Sequence, residues 1–402
     1  MKTEKRIVII SSGQPTANPR AVKEALALHK EGYTVTFIYC PLSPWADRFD
    51  EKLFSDHPGI IWIPVGYHPL KQKWGYRFAR LRKKVYGMSE QSVRSYAMFS
   101  QELKMEALRH PADLYLGHNL GAIEATVNAA GFHKAKAGFD AEDFHRGEFL
   151  EKDHQKETTV TIENKYFPLL NYCTVAAPLI GKAYAKIFPG KLFTTLNNVF
   201  SAQNLQNEGS NKSKPGLDLF WFSQFIGPSR GIETVIGALN KCSDYDIRLH
   251  LLGNITDAYR EELSESITNT GKLLFLSPTE PDNIFKVATK FDIGLATEIP
   301  ITLNREYCLT NKLFTYLLSG NCILMSGTKA QAEFAATYPG IGMVYEPYDE
   351  AQLAHFIRQL YDDRALLAQM KANSLKLAKE KLNLEHESLI FLRLVNTVLS
   401  TN

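Results

Sequence analysis

The chain is poor in cysteine, nearly balanced in charge and free of long apolar runs. Its five cysteines, Cys40, Cys173, Cys242, Cys308 and Cys322, are odd in number, far apart and never spaced C-x-x-C. That argues against a disulfide framework and against a thiolate zinc site. The formal net charge is only +3 over 402 residues, too little for a general nucleic-acid binder, so no nucleic-acid partner is expected. No stretch approaches the roughly 18 apolar residues that a membrane-spanning helix needs. The apolar run Ile7–Ile10 stops at Ser11-Ser12-Gly13, too short for a signal-peptide core, so it reads as a first β-strand and the chain is expected in the cytoplasm. Neither a P-loop nor an H-E-x-x-H motif occurs.

What is present is ordinary globular composition, 45% hydrophobic and 22% charged, enough for two or three domains with their own cores. The charge is uneven: residues 1–200 hold 27 basic against 20 acidic side chains (+7), and 201–402 hold 19 against 23 (−4). Short apolar runs alternate with helical patterns. Strands are expected at 6–11, 33–39, 60–65, 112–117, 136–140, 172–176 and 192–196, then at 217–223, 247–253, 272–277, 291–296, 321–326 and 342–345. Strand–helix–strand units of about 35 residues build parallel sheets. The polar stretch Ser201–Lys214, closed by Pro215-Gly216, has linker composition. The expected plan is α/β: a Rossmann-like domain over 1–200, a linker over 201–216, a second such domain over 217–380, and a C-terminal helix over 381–402 packing back on the first. Two doubly wound domains facing across a cleft bind ligands outside the carboxyl ends of their strands.

The residues just after the strands therefore matter most. Gly227-Pro228-Ser229-Arg230-Gly231 follows strand 217–223 and opens a helix. Glycines there let backbone N–H groups approach an anion, and Arg230 adds a permanent charge, although a plain strand-to-helix loop with a surface arginine reads the same way. Asn311-Lys312 opens a helix that packs through Leu313, Tyr316 and Leu317 and stops at Gly320. A lysine in a first turn opposes the helix dipole, which points either to an anionic ligand or to a lysine snorkelling into water. Asp244-Tyr245-Asp246 spells D-x-D but precedes an apolar strand and reads as a turn, so no metal site is expected.

In order and spacing, Arg230-Gly231, the run Leu318-Ser319-Gly320-Asn321-Cys322-Ile323-Leu324, and the N-terminal Arg6–Gly13 followed by Pro19-Arg20 and Gly32-Tyr33 resemble GT-B-fold glycosyltransferases, specifically the retaining family 4 group. The resemblance spans nearly the whole chain. It implies a nucleotide-diphosphate sugar as donor, no cofactor or metal, and a glycan or lipid-linked acceptor, as in surface polysaccharide synthesis. It implies catalytic roles for Arg230, Lys312 and His118, the last beside the donor sugar. Donor contacts are implied for Gly13, Gly227, Gly231, Glu306, Asn311 and Thr315. Acceptor contacts are implied for Asp140, Glu142, Asp143 and His145. Three departures stand out. The family's arginine after the first strand of the second domain is replaced by Ser223-Gln224. The turn to Arg230 is one residue longer. The family's E-x7-E pair falls on Tyr307 and Thr315, while Glu298 and Glu306 share the spacing by coincidence. Two other readings stay open: a nucleotide-sugar epimerase, and a non-catalytic relative that only binds sugar nucleotides.

A last feature is Lys71–Met88. Trp74, Phe78, Leu81, Val85 and Met88 recur at spacings of four, three, four and three, on one helical face. Lys71, Lys73, Arg77, Arg80, Arg82, Lys83 and Lys84 surround them with no acid. The stripe either packs on the first domain or meets an anionic membrane surface, with the protein peripheral on the inner face.

Overall fold

The strands are where the apolar runs are. The computed structural model describes residues 5–150, 153–204, 216–280 and 283–401. The first sheet has seven strands: β1 (Arg6–Ser11), β2 (Thr34–Tyr39), β3 (Ile61–Pro64), β4 (Leu114–His118), β5 (Lys136–Glu142), β6 (Tyr172–Val175) and β7 (Phe193–Thr195). The second has six: β8 (Leu217–Phe225), β9 (Ile247–Asn254), β10 (Leu273–Leu276), β11 (Ile293–Ala296), β12 (Cys322–Ser326) and β13 (Gly342–Tyr345). Central strands such as β1 and β12 are buried at nearly every residue, as expected of a parallel sheet covered on both faces.

Strand order is β3-β2-β1-β4-β5-β6-β7 in one sheet and β10-β9-β8-β11-β12-β13 in the other, with every pairing parallel. Each order reverses once, at β1/β4 and at β8/β11. At such a switch point adjacent connections leave in opposite directions and open a crevice at the carboxyl ends.

By internal contacts the chain forms two compact units, Met1–Leu196 with Ser388–Asn402, and Asn197–Glu387. The expected linker 201–216 falls largely on 205–215, outside the described residues. The last helix, Leu384–Ser400, starts three residues later than the expected 381–402 element, and its Phe391 and Val395 are buried among Ile7, Ile9, Phe37 and Leu116 of the first unit. The second unit's core gathers Leu219, Trp221, Leu249, Leu251, Leu295 and Leu324 around its sheet.

The helix Pro19–Lys30 shows how sequence sets these elements. Proline stands at its start, the Asn18 side chain accepts from the Ala21 N–H at 3.2 Å, and Ala21, Ala25 and Leu28 bury one face.

Candidate functional site

In the second unit the switch point lies after β8 and β11. The loop after β8 ends at Gly231, which caps the helix Ile232–Asn240 with φ 79°. A Cβ there would sit 2.4 Å from the Thr297 carbonyl oxygen, so only glycine fits. Thr297 locks this junction: its hydroxyl donates to the Arg230 carbonyl at 2.6 Å and accepts from Trp221 Nε1 at 3.0 Å. The Arg230 guanidinium is half-buried and has no acid partner among the described residues, at a helix end rich in free N–H groups. Gly227 to Gly231 also spells the G-x-S-x-G of serine hydrolases. Ser229 takes a left-handed φ of 59°, but among the described residues no histidine bonds its hydroxyl, so nothing activates it as a nucleophile.

Lys312 is buried beside this junction. Its Nζ lies 3.1 Å from Glu298 Oε1 and 5.2 Å over the Trp221 ring. Glu298 also accepts from Thr310 Oγ1 at 3.1 Å. Burial pushes the Glu298 carboxyl up, but Lys312, Thr310 and Arg305 outweigh it and hold the group below its usual range. Lys312 is therefore already neutralised, and Glu298, set aside in the sequence as a chance spacing, is its partner. One turn along the helix Asn311–Leu318, Thr315 is 1% exposed and its hydroxyl has no partner. Thr315 thus stands at the position that the resemblance implies for the donor, with a buried hydroxyl left without a partner. Asn311 is exposed at the same helix start, and Glu306 lies 3.5 Å from Lys329.

In the first unit the switch point lies between β1 and β4. Gly13, in the loop after β1, donates its N–H to Ser11 Oγ at 3.2 Å. His118, at the end of β4, points inward. Nε2 lies 2.9 Å from Glu24 Oε2 and Nδ1 lies 3.4 Å from Asp140 Oδ2. Burial alone would lower its pKa, but the two carboxylates raise it to about 9, which makes the ring an imidazolium at neutral pH. Both nitrogens are committed to buried carboxylates, so the expectation of a His118 free beside a sugar gives way to a structural charge. Asp140 is fixed by Arg20, Nε at 2.7 Å and Nη2 at 2.8 Å, and by Thr174 Oγ1 at 2.8 Å. Arg20 and His118 hold its carboxyl well below the usual range against the opposing effect of burial.

Glu24, His118 and Asp140 offer ligand atoms close enough for a metal ion. Yet Asp140 already faces the Arg20 guanidinium, and a metal cation there would meet that charge and an imidazolium. The donor set does not fit a metal. Asp244 and Asp246 lie in the turn before β9, as the sequence predicts.

The other acceptor-side candidates cluster just beyond. Glu142 takes φ 52° at the register shift between β5 and β6. Burial, with Asp140 and Asp143 beside it, raises its carboxyl to about 7 against the pull of Arg20 and His118. Strained backbone and a displaced pKa at a strand's carboxyl end are typical of a working residue. His145 pairs with Glu148 through Nδ1 at 2.7 Å, and its buried Nε2 has no partner. The Asp143 carbonyl lies 3.4 Å from the Tyr184 hydroxyl. The sequence reading left out Glu24 and Thr174 and used Arg20 only as a landmark. The signal that flagged Lys312, a cation in a helix's first turn, applies equally to Arg20 in the helix Pro19–Lys30.

The basic segment forms the helix Lys73–Ser89, and Ala79 is its only buried residue. The apolar stripe is outward: Trp74 is 82% exposed, Phe78 66% and Met88 75%. Among the described residues no helix is long and apolar enough to cross a membrane.

No protein-family model matches the chain, and a search of the curated proteins finds no relative. Solved structures do match over the whole length. Anabaena HepE in complex with UDP and glucose is 16% identical, covers 98% of this chain and all of its own, and superposes with a TM-score of 0.71. The sucrose-phosphate synthase of Thermosynechococcus elongatus is 13% identical over 99% of this chain and all of its own, with a TM-score of 0.73. S. aureus TarM, solved with fondaparinux, α-GlcNAc-glycerol and UDP, is 10% identical over 99% and 100%, with a TM-score of 0.69. The fold is that of GT-B glycosyltransferases, two Rossmann-like parallel-sheet domains.

Proposed function

We propose that the chain is a nucleotide-sugar-dependent glycosyltransferase that transfers a sugar with retention, without a metal ion or cofactor, to a glycan or lipid-linked acceptor. The observation that carries this is the β8/β11 switch point. There Arg230, which has no acid partner among the described residues, and a glycine-capped helix start follow β8, and the orphaned Thr315 hydroxyl lies on the helix after β11, in a fold shared with proteins solved with UDP and UDP-glucose. In transfer from a nucleotide-diphosphate sugar, negative charge grows on the leaving diphosphate. Arg230 and the N–H groups of the helix start after Gly231 meet that charge, with Lys312 adding what Glu298 leaves. Glu306, Asn311 and Thr315 hold donor hydroxyls. No residue is assigned as general base: the departing phosphate oxygen takes the acceptor proton. Glu142, Asp143 and His145 receive the acceptor, and His118 and Asp140 position the loop that carries them.

The lipid-linked form of acceptor is supported by the helix Lys73–Ser89, whose apolar stripe faces outward amid cations. On this reading the enzyme works on the inner face of a membrane, in surface polysaccharide synthesis.

Incubation with a panel of UDP-, GDP- and ADP-sugars tests the reading. Release of nucleoside diphosphate, increased by a glycan acceptor, is the expected result. Interconversion of sugar isomers without release would make the chain an epimerase. Binding without turnover would make it a non-catalytic relative.

A further inference from the structure

Within the first unit, the carboxyl ends of β1, β2 and β3 surround a cavity of ≈ 440 Å3 whose lining includes Gln14, Tyr39, Asp47, Asp50, Glu51 and His68. That volume is in the range of small-molecule sites. A second depression of ≈ 470 Å3 shares Asp47 and Glu51 with it and is bounded by Trp45 and Phe49. None of these residues belongs to the donor or acceptor candidates above.

The polar groups are held in place. Asp50 is buried and accepts from the Thr16 N–H at 2.9 Å, Thr16 Oγ1 at 2.6 Å and Gln14 Nε2 at 2.9 Å. Asp47 receives Gln14 Nε2 at 3.1 Å, His68 Nε2 at 3.0 Å and Lys71 Nζ at 3.4 Å. His68 Nδ1 accepts the N–H groups of Leu70 and Lys71, so its ring proton sits on Nε2 and points at Asp47. Glu51, one turn beyond Asp47, is exposed and has no ion-pair partner among the described residues. Trp45 is 55% exposed beside it.

Two features define the ligand. The first is sign. Across both depressions the three carboxylates of Asp47, Asp50 and Glu51 outnumber the cations Lys71 and Arg48 by one, so this surface disfavours phosphates, anionic lipid and acidic polymers. The exposed Trp74 stripe, ringed by cations alone, has the opposite character. The second is chemistry. An exposed indole offers an apolar face to the C–H groups of a sugar ring, and carboxylates and amides take its hydroxyls.

We propose that this end of the first unit binds two successive neutral or amino sugar residues of the acceptor, one in the cavity and one on Trp45, with the Glu51 carboxylate between them accepting hydroxyls from both. This rests on the glycosyltransferase reading and specifies its acceptor as an oligosaccharide chain.

Saturation-transfer NMR on the full chain tests it. The probes are methyl glycosides of glucose, galactose, N-acetylglucosamine and glucosamine, methyl glucuronide, and the disaccharides maltose and cellobiose. UDP binding is followed separately by calorimetry. A neutral or amino glycoside is expected to bind, a disaccharide more tightly than its monosaccharide, and the glucuronide most weakly. Trp45→Ala is expected to weaken saccharide binding by about tenfold, as loss of an aromatic stacking face would. Glu51→Gln should weaken it too, and both variants, altered only at exposed side chains, should keep the native melting temperature and UDP affinity. Absence of any saccharide signal, undiminished binding in both variants, or preference for the glucuronide would each overturn the proposal. Saccharide binding without UDP binding would instead sink the transferase reading and leave this site standing.

Discussion

Lys312 Nζ lies 3.1 Å from Glu298 Oε1 and 5.2 Å from the Trp221 ring centre, so one cation joins the helix Asn311–Leu318 to the end of β11 and to β8. Both charged groups are buried. Removing either leaves an uncompensated buried charge, which typically costs about 3–5 kcal/mol. Glu298→Gln and Lys312→Met are each expected to lose stability on that order in urea unfolding. The double variant should lose much less than the sum. Additive losses would show that the two side chains do not depend on each other.

Thr315 and Arg230 should separate stability from binding. Thr315→Val deletes a buried hydroxyl that bonds nothing, so the unliganded protein should gain up to about 1 kcal/mol. If the hydroxyl meets the donor, UDP affinity should drop in the same variant. Arg230→Ala should leave the melting temperature unchanged, because its guanidinium has no acid partner among the described residues, yet weaken UDP by about 2–3 kcal/mol. Loss of stability in Arg230→Ala with intact UDP affinity would move the donor away from this loop.

Gly231 is the least replaceable position of that loop. Its φ of 79° is strained for any side chain, and an added Cβ would lie 2.4 Å from the backbone oxygen of Thr297, which cannot swing aside. Gly231→Ala should cost about 1–3 kcal/mol in thermal or urea unfolding. It should also displace the helix start and reduce UDP binding. A variant as stable as the parent would mean that the turn relaxes freely.

The strands were legible because each is a short apolar run bounded by polar or glycine residues, a pattern that survives even in β13 (Gly342–Tyr345), read without a residue's error. The helix starts at Ile232 and Asn311 followed from glycine and from a misplaced cation. Pairings across the fold were not legible. Arg20 and Asp140 are 120 positions apart, and nothing local in either marks the other. Glu298 and Glu306 show the same spacing as a known motif, but only Glu298 turns inward to Lys312, because it follows β11 directly while Glu306 sits on a separate short helix. Periodicity showed that Trp74, Phe78 and Met88 share a face. It could not show that the face is left uncovered, which depends on what packs nearby.

Stability should fall as pH rises from 6.5 towards 8. His118, between Glu24 and Asp140, and His145, beside Glu148, Glu163 and Asp143, both have pKa values raised to about 9. The folded state thus holds protons that the unfolded state releases above 6.5. This stabilisation is complete below that pH and is lost as pH climbs through 9, by at most about 2 kcal/mol per ring at pH 8. Above 8 the half-buried Lys23, lowered to about 8 chiefly by loss of solvent, contributes in the opposite sense. Glu142, raised to about 7, loses its proton in the same window and adds to the fall, so in urea unfolding at half-unit steps from pH 6 to 8 His145→Gln should remove about a third of the slope. A flat profile would mean that neither ring is protonated in the fold.

The helix Lys73–Ser89 should bind anionic bilayers. Its stripe of Trp74, Phe78, Leu81, Val85 and Met88 is exposed throughout, so these side chains do not serve the core. Arg82 is tied to Glu102, and Lys71 lies near Asp47. Lys73, Arg77, Arg80, Lys83 and Lys84 have no acid partner among the described residues, and each gains about 1 kcal/mol near an anionic surface. Attraction of that size should bring most of the protein down with vesicles of high phosphatidylglycerol content at low salt. It should be screened by several hundred millimolar salt and be absent with phosphatidylcholine. Trp74→Ala with Phe78→Ala should remove the salt-resistant part, and Lys83→Glu with Lys84→Glu the salt-sensitive part, because insertion and charge act separately. None of these changes should alter UDP affinity, and those at the exposed Trp74, Phe78 and Lys84 should keep the melting temperature. Protein that stays in the supernatant at low salt whatever the lipid would show that the acceptor is either soluble or reached without this helix.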